Sequence, residues 1–102
     1  MEKRSKNNKK AQSFNPGEEL VINAVSEIRE KMLQILTEKD SIDLDLGSIS
    51  ECDTAGVQLI ISLLKYGEKR NKTISILNAT NAVTEEMSEL GFCPDELISK
   101  GN

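Results

Sequence analysis

Two short segments of alternating apolar and polar residues, separated by a longer helical pattern, place the strongest constraint on how this chain can fold. Residues 42–46 are IDLDL and residues 73–77 are TISIL, and this two-residue period predicts strands that each have one covered face. Between them, apolar side chains in residues 53–70 recur at three- and four-residue spacing, which predicts a helix. Strands joined by a helix are typical of right-handed crossovers between parallel strands. The sequence therefore predicts an α/β domain.

Further elements are predicted on both sides of this unit. Residues 19–22 are predicted to be extended, and residues 23–37 have helical apolar spacing, with Asn23 well suited as the N-cap. Thr80 is predicted to cap a third helix, and Gly91 to end it. The expected fold is a single α/β domain with a small mixed β-sheet of about four strands and three to four α-helices.

Length and composition are those of a small cytoplasmic domain. The chain has 102 residues, of which 37% are hydrophobic and 29% charged, enough for one small core. Its longest apolar run is interrupted by Ser62, Lys65 and Glu68, so no membrane insertion is expected. Cys52 and Cys93 have no CxxC spacing and no secretory leader precedes them, so both are predicted to be reduced, buried structural thiols.

The residue types that are missing count against an enzyme. Histidine is absent, which excludes Ser-His and Cys-His nucleophile pairs and any histidine metal site. The sequence contains neither a GxxxxGK phosphate loop nor a glycine-rich dinucleotide turn. We therefore expect no catalytic residues, no metal site and no cofactor.

Charge divides the chain into two parts. Residues 1–10 carry five basic side chains and one acidic one, a net charge of +4, whereas the remaining 92 residues carry −8. The arm could contact nucleic acid or anionic lipid, but a solvated tail is the commoner case. Because the body is acidic and has just three aromatic residues, nucleic acid is not expected as the main partner. We predict a flexible basic arm over residues 1–13 and a folded domain over residues 14–102.

The pair Asp53-Thr54 lies where an extended segment leads into the second predicted helix. Either residue type caps a helix well, at about 1 kcal/mol, so a plain cap is one interpretation. The other is a functional site, because open α/β folds place functional groups where strands lead into helices. Gly56 could simply permit close packing of the helix on the sheet.

The second predicted helix has two adjacent apolar faces. One stripe, expected to cover the sheet, consists of Val57, Ile60, Ile61 and Leu64. The adjacent face carries Leu59, Leu63 and Tyr66. This second face could pack against a neighbouring helix. Alternatively, it could form part of a surface that docks a partner, together with Ala55, Gln58 and Ser62, and with Thr54 at its rim.

Residues 42–92 as a set resemble the STAS domain of bacterial anti-sigma factor antagonists. The order is that family's: a strand, the loop LGSISECDTAG, a helix, the strand KTISILN and a helix that ends in LGF. Residues 17–41 resemble the preceding strand and helix more loosely. The DTAG motif also resembles small STAS proteins encoded with chemotaxis systems, and the STAS subunit that supports the ATPase of a phospholipid-transport ABC complex.

The resemblance implies a role in signal transduction and transcription regulation. In antagonists, the hydroxyl residue after the aspartate is phosphorylated by a serine kinase that is also an anti-sigma factor, and phosphorylation ends the binding between them. By position this phosphoacceptor is Thr54, with Asp53 as the adjacent acid that could orient the hydroxyl or help the kinase place its magnesium. The alternative is a constitutive accessory subunit in which Thr54 contacts an ATPase without being modified. The partner-binding residues predicted for either role are Ala55, Gly56, Gln58, Leu59, Ser62, Leu63 and Tyr66.

Overall fold

The computed structural model describes residues 12–98, which form five short strands and four helices. In chain order these are β1 (Gln12–Phe14), β2 (Glu19–Leu20), α1 (Ile22–Glu38), β3 (Ser41–Asp45), β4 (Glu51–Cys52), α2 (Thr54–Arg70), β5 (Thr73–Leu77), α3 (Asn81–Glu89) and α4 (Pro94–Leu97). The predicted α/β class is confirmed. None of these helices is long and apolar enough to cross a bilayer.

The strands form two parallel sheets instead of one mixed sheet. The larger sheet has the order β1-β3-β5, and a separate pair is formed by β2 and β4. A turn separates β1 from β2, because Gly17 has a φ of 105° and its N–H donates to Asn15 Oδ1 at 2.8 Å. This change of direction keeps β2 from continuing the strand that pairs with β3.

The expected boundary after residue 13 falls inside β1. Gln12 pairs with Ile42 and Phe14 with Leu44, so the last two residues assigned to the arm belong to the sheet. Residues 1–11 lie outside the described part of the chain, and the flexible arm stays a prediction for them.

A single core lies between the larger sheet and the helices. Both predicted alternating strands place their isoleucines and leucine inward, with Ile42, Leu44, Ile74 and Ile76 buried. Helices α1 and α2 pack against each other and against this sheet, and α3 packs against β4 and α2. The buried hydrophobic residues are Leu20, Ile28, Met32, Leu36, Ile42, Leu44, Leu46, Ile49, Val57, Leu59, Ile60, Leu63, Ile74, Ile76, Val83 and Met87.

Helix α1 begins one residue before the predicted cap. Its N-cap is Val21, and Asn23 lies in the first turn with an exposed side chain. The reason is tertiary, because the Ile22 N–H donates to the carboxylate of Asp53 at 3.0 Å. With Asn23 as the N-cap, the N–H of Ile22 would lie outside the helix. The carboxylate of Asp53, which is distant in sequence, accepts from this N–H and allows the helix to begin at Ile22.

Of the predicted sheet-covering stripe of α2, Val57 and Ile60 are fully buried, but Ile61 is not. For the second face, the burial of Leu59 and Leu63 and the packing of α2 on α1 agree with the alternative that this face packs against a neighbouring helix. Leu63 is 2% exposed and Leu59 6% exposed, whereas Ile61 is half-buried at the edge of the core. The core-facing line contains Gly56 and Gly67, where an added Cβ would clash with Leu20 and approach Lys72 O at 2.8 Å, respectively. Because these glycines let the helix approach β2 and the start of β5 closely, Leu63 on the same side is buried with them.

Helix α3 ends as predicted. Gly91 has a φ of 91°, its N–H donates to Ser88 O at 3.0 Å, and the N–H of Phe92 donates to Met87 O at 2.9 Å. This pair of bonds is a Schellman motif, which requires a residue that tolerates a positive φ. The motif also turns Phe92 outward, leaving 39% of it exposed.

Candidate functional site

Asp53 connects the beginnings of two helices. Its Oδ1 accepts a hydrogen bond from Gly56 N at 3.1 Å, which caps α2, and its Oδ2 accepts one from Ile22 N at 3.0 Å in the first turn of α1. Its own N–H donates to Leu20 O at 3.2 Å. Both carboxylate oxygens are therefore engaged by backbone amides, so the side chain is a structural cap for both helices.

Thr54 is the first residue of α2, and its side chain is exposed. Its hydroxyl donates to Glu86 Oε2 on α3 at 3.3 Å. The hydroxyl takes no part in capping α2, because Asp53 does so. The cap interpretation of the Asp53-Thr54 pair therefore applies to Asp53. The Thr54 side chain is not needed to cap α2.

Glu86 is held in place by the anchoring of α3. Val83 and Met87 on this helix are fully buried. Thr80 is at the N-cap position as predicted, but its hydroxyl donates to Ile49 O at 2.7 Å and makes no cap bond. The start of α3 is thereby tied to the segment before β4, which keeps Glu86 beside Thr54.

An open cleft next to Thr54 is strongly acidic. Its described lining contains no lysine or arginine, and it consists of Val21, Ser50, Glu51, Cys52, Asp53, Ala82, Glu85, Glu86 and Glu89. Burial, together with the negative charges of Glu86 and Asp53, raises the pKa of the Cys52 thiol to about 11. Cys52 is therefore protonated at neutral pH and is a weak nucleophile. It is half-buried, whereas Cys93, also predicted to be buried, is exposed.

Gly56 has a packing role. A Cβ at this position would collide with the carbonyl oxygen of Leu20 and would lie 2.8 Å from Leu20 Cγ. Real Cβ atoms do not approach other atoms this closely, so α2 could not rest on β2 with any larger residue here. This agrees with the interpretation of Gly56 as a close-packing residue.

The other predicted partner-binding residues divide between surface and core. Gln58 and Ser62 are exposed, and Ala55 is half-buried at the surface. Leu59 and Leu63 belong to the core, so their side chains are not available to a partner. Tyr66 is half-buried, with the Arg70 guanidinium 4.7 Å from its ring centre. We call the residues of this set that reach the surface, together with Thr54, the α2 surface: Thr54, Ala55, Gln58 and Ser62.

Exposed apolar side chains flank the α2 surface on both sides. Ile22, which is 63% exposed, lines a groove between α1 and α2 together with Val25. On the other side, Leu90 and Phe92 line a second groove with Ile61. Together with Glu86 these residues were missed by sequence reasoning. Glu86 lies 32 positions from Thr54, so no local spacing could have paired them.

Metal binding has no evident site in the part of the chain described. Within residues 12–98, no three or more histidine, cysteine, aspartate or glutamate side chains are grouped so that they could hold an ion. The acidic side chains of the cleft are spread along its walls, and two of them already accept hydrogen bonds, Asp53 from backbone amides and Glu86 from Thr54.

Comparison with known families gives a match over most of the chain. A family model described as "Mlab, STAS domain" matches residues 17–97, from the turn after β1 to the end of α4. This range includes Asp53, Thr54 and Glu86. No curated protein matches the chain.

Proposed function

This chain belongs to the STAS domain family, and from that premise we propose that it is a non-catalytic protein-binding switch similar to anti-sigma factor antagonists. Domains of this family mediate protein–protein interactions and are generally non-enzymatic. In the proposed function, the unmodified chain binds a serine/threonine kinase that is also an anti-sigma factor. Phosphorylation of Thr54 ends that binding.

The observation that carries the proposal is that Asp53 alone makes the cap hydrogen bonds at the start of α2, while the Thr54 hydroxyl makes none. Asp53 caps α2 and also serves α1, so the hydroxyl of Thr54 can be modified without removing a cap. Thr54 is exposed, which a phosphoacceptor must be. Its position at the start of the α2 surface would place a phosphate at the edge of the partner contact.

The proposed effect of the phosphate is electrostatic. A phosphothreonine carries about −1.5 to −2 charges near neutral pH. At a packed interface these charges would have to be desolvated or would be repelled, because burying an unpaired charge is costly. The contact formed by Ala55, Gln58 and Ser62 would therefore be weakened while the core beneath it stays intact.

A second candidate function is supported by the surroundings of Thr54. Its hydroxyl already donates to Glu86, and the lining of the adjacent cleft is acidic, which disfavours a phosphate at this position. An unmodified Thr54 could instead contact a partner directly. The chain would then be a constitutive accessory subunit of a phospholipid-transport ABC ATPase or of a chemotaxis-type signalling system.

The test is a binding titration with candidate partners chosen from the neighbouring genes. Wild type, Thr54→Ala and Thr54→Asp are titrated calorimetrically against each candidate, and phosphate transfer from a candidate kinase is followed by mass spectrometry. For a switch, we expect Thr54→Ala to bind and take up no phosphate. Thr54→Asp should bind at least about tenfold more weakly, a loss of about 1.4 kcal/mol.

A matched control is the same substitution at another exposed threonine, Thr37 at the end of α1. Thr37→Asp should bind like wild type, because residue 37 lies outside the α2 surface. Wild-type affinity in Thr54→Asp, together with no phosphate uptake by the wild type, would reject the switch and leave the accessory subunit.

A further inference from the structure

The hydrogen bond between Thr54 and Glu86 connects the start of α2 to α3. Thr54 Oγ1 lies 3.3 Å from Glu86 Oε2. A carboxylate is an acceptor and has no proton to give, so the bond exists because the threonine hydroxyl supplies one. Phosphorylation replaces that proton with a group whose oxygens are acceptors. The donor is lost, and two negatively charged groups then face each other.

Part of the start of α2 is already engaged and cannot offset this repulsion. A helix N-terminus normally stabilises an anion through its free amides. Here the N–H of Gly56 already donates to Asp53, and the same carboxylate accepts from Ile22 N. The charge of Asp53 also lies next to Thr54. A phosphate on Thr54 would therefore meet negative charge from Asp53 and Glu86.

The backbone of α3 cannot easily move away. Val83 and Met87 are fully buried, and Thr80 binds Ile49 O. The repulsion would therefore act on the Glu86 side chain, which is half-buried. The described lining of the cleft adds Glu51, Glu85 and Glu89 and contains no lysine or arginine, so it offers Glu86 no cation to pair with.

We propose that Glu86 is a positioning residue for Thr54, which holds the unmodified hydroxyl and is expelled from the start of α2 when a phosphate is added. This inference rests on the proposed function and deepens it. A partner at the α2 surface would then meet two changes on phosphorylation, the phosphate itself and a displaced Glu86 side chain. The cleft between β4 and α3 would change together with the partner contact.

A double-mutant cycle tests the proposal without any partner. Thr54→Asp and Thr54→Asn differ in charge but little in size, and they are compared with Glu86 present and in a Glu86→Gln background. Glu86→Gln removes the charge and keeps the shape of the side chain, and its amide can accept a hydrogen bond from asparagine or donate one to aspartate at position 54. Thermal unfolding is measured for the full chain at low and high salt.

We expect Thr54→Asp to melt lower than Thr54→Asn, by on the order of 4 °C, when Glu86 is present. In the Glu86→Gln background this difference should fall to less than half. High salt should reduce the difference in the first background, because part of it is an exposed charge repulsion. Equal differences in both backgrounds would overturn the proposal.

Glu85→Gln is the matched control. Glu85 precedes Glu86 on α3 and lines the same cleft, but it forms no hydrogen bond with Thr54. It should relieve the Thr54→Asp effect less than Glu86→Gln does. Equal relief by both would mean that the general charge of α3 acts on residue 54, and it would overturn the specific role of Glu86.

The modified residue itself can be examined because Cys52 lies two positions before Thr54. A chain with phosphothreonine at position 54 can be assembled by ligating residues 1–51 to a peptide that begins with Cys52. Phosphorylation should lower the melting temperature more in the Glu86 chain than in the Glu86→Gln chain. An unchanged difference would contradict the proposal, and because no partner is involved, this failure would leave the binding function of Thr54 standing.

Discussion

At positions 53 and 54, neighbouring side chains serve different parts of the molecule. The Asp53 carboxylate accepts backbone hydrogen bonds from both α1 and α2, whereas the Thr54 hydroxyl points towards α3 and solvent. Removing the aspartate would leave two first-turn amides without their partner. Removing the threonine hydroxyl would cost a single partly exposed hydrogen bond.

Alanine substitutions at the two positions should therefore differ in stability. We expect Asp53→Ala to lower the free energy of unfolding by about 1–2 kcal/mol, since the loss of a cap alone typically costs about 1 kcal/mol. Thr54→Ala should change it by less than about 0.5 kcal/mol. Urea denaturation of both variants measures this. An equal loss in both would mean that Thr54 also supports the start of α2.

At the scale of elements, two glycines determine how α2 meets the sheet. A glycine inside a helix normally weakens it by up to about 1 kcal/mol relative to alanine. Gly56 is nevertheless required, because the backbone of Leu20 occupies the space that a Cβ would need. The same close approach turns Leu59 and Leu63 towards the core and leaves Ile61 at its edge.

Gly56→Ala should destabilise the chain, against the direction of helix propensity. We expect a loss of about 1–3 kcal/mol or more, as for other overpacked sites. Ser62→Ala on the exposed side of the same helix is the control and should change stability by less than about 0.5 kcal/mol. A gain in stability for Gly56→Ala would show that α2 can move away from β2 at little cost.

Core truncations on α2 should distinguish the observed helix face from the face predicted by sequence. Leu63→Ala is expected to cost about 2–5 kcal/mol, because it empties a fully packed site. Ile61→Ala should cost clearly less, because Ile61 is half-buried at the core edge. Denaturation of both variants checks the order, and a larger loss at Ile61 would restore the stripe that periodicity alone predicted.

At the scale of the whole molecule, β1 is the first strand of the described residues. It pairs with β3 at an edge of the larger sheet, and Phe14 packs against the core. Residues 1–10 contain no apolar side chain after Met1, so sequence alone predicts that they add little to the core. From these two facts we predict that the boundary that matters for stability lies just before β1.

Two truncations test this boundary. A chain that begins at Ala11 should keep its melting temperature within about 4 °C of the full chain, because the removed residues bury little apolar surface. A chain that begins at Asn15 loses β1 and exposes the edge of β3, and its melting temperature should fall by more than roughly 8 °C. A large loss on removing residues 1–10 alone would assign the arm a structural role.

The sequence by itself determined the class of fold and the position of the candidate site. The alternating segments became β3 and β5, the helical pattern between them became α2 with Asp53 at its N-cap, and Gly91 ended α3. These features are local, because the periodicity of apolar residues and the demands of caps and turns are set by neighbours within a few positions. The family resemblance rests on the same local features in order.

Tertiary structure decided which groups meet. Helix α1 begins at Ile22, whose N–H donates to Asp53, 31 positions away in the sequence. The Thr54 hydroxyl donates to Glu86, 32 positions away. The buried face of α2 followed the glycines that touch β2 and the start of β5, although apolar residues continue beyond that face. Periodicity records which sides of a helix are apolar, but it carries no information on which other element approaches closest. That choice depends on the packing of the whole core, and it made Leu63 a core residue and Thr54 an exposed one.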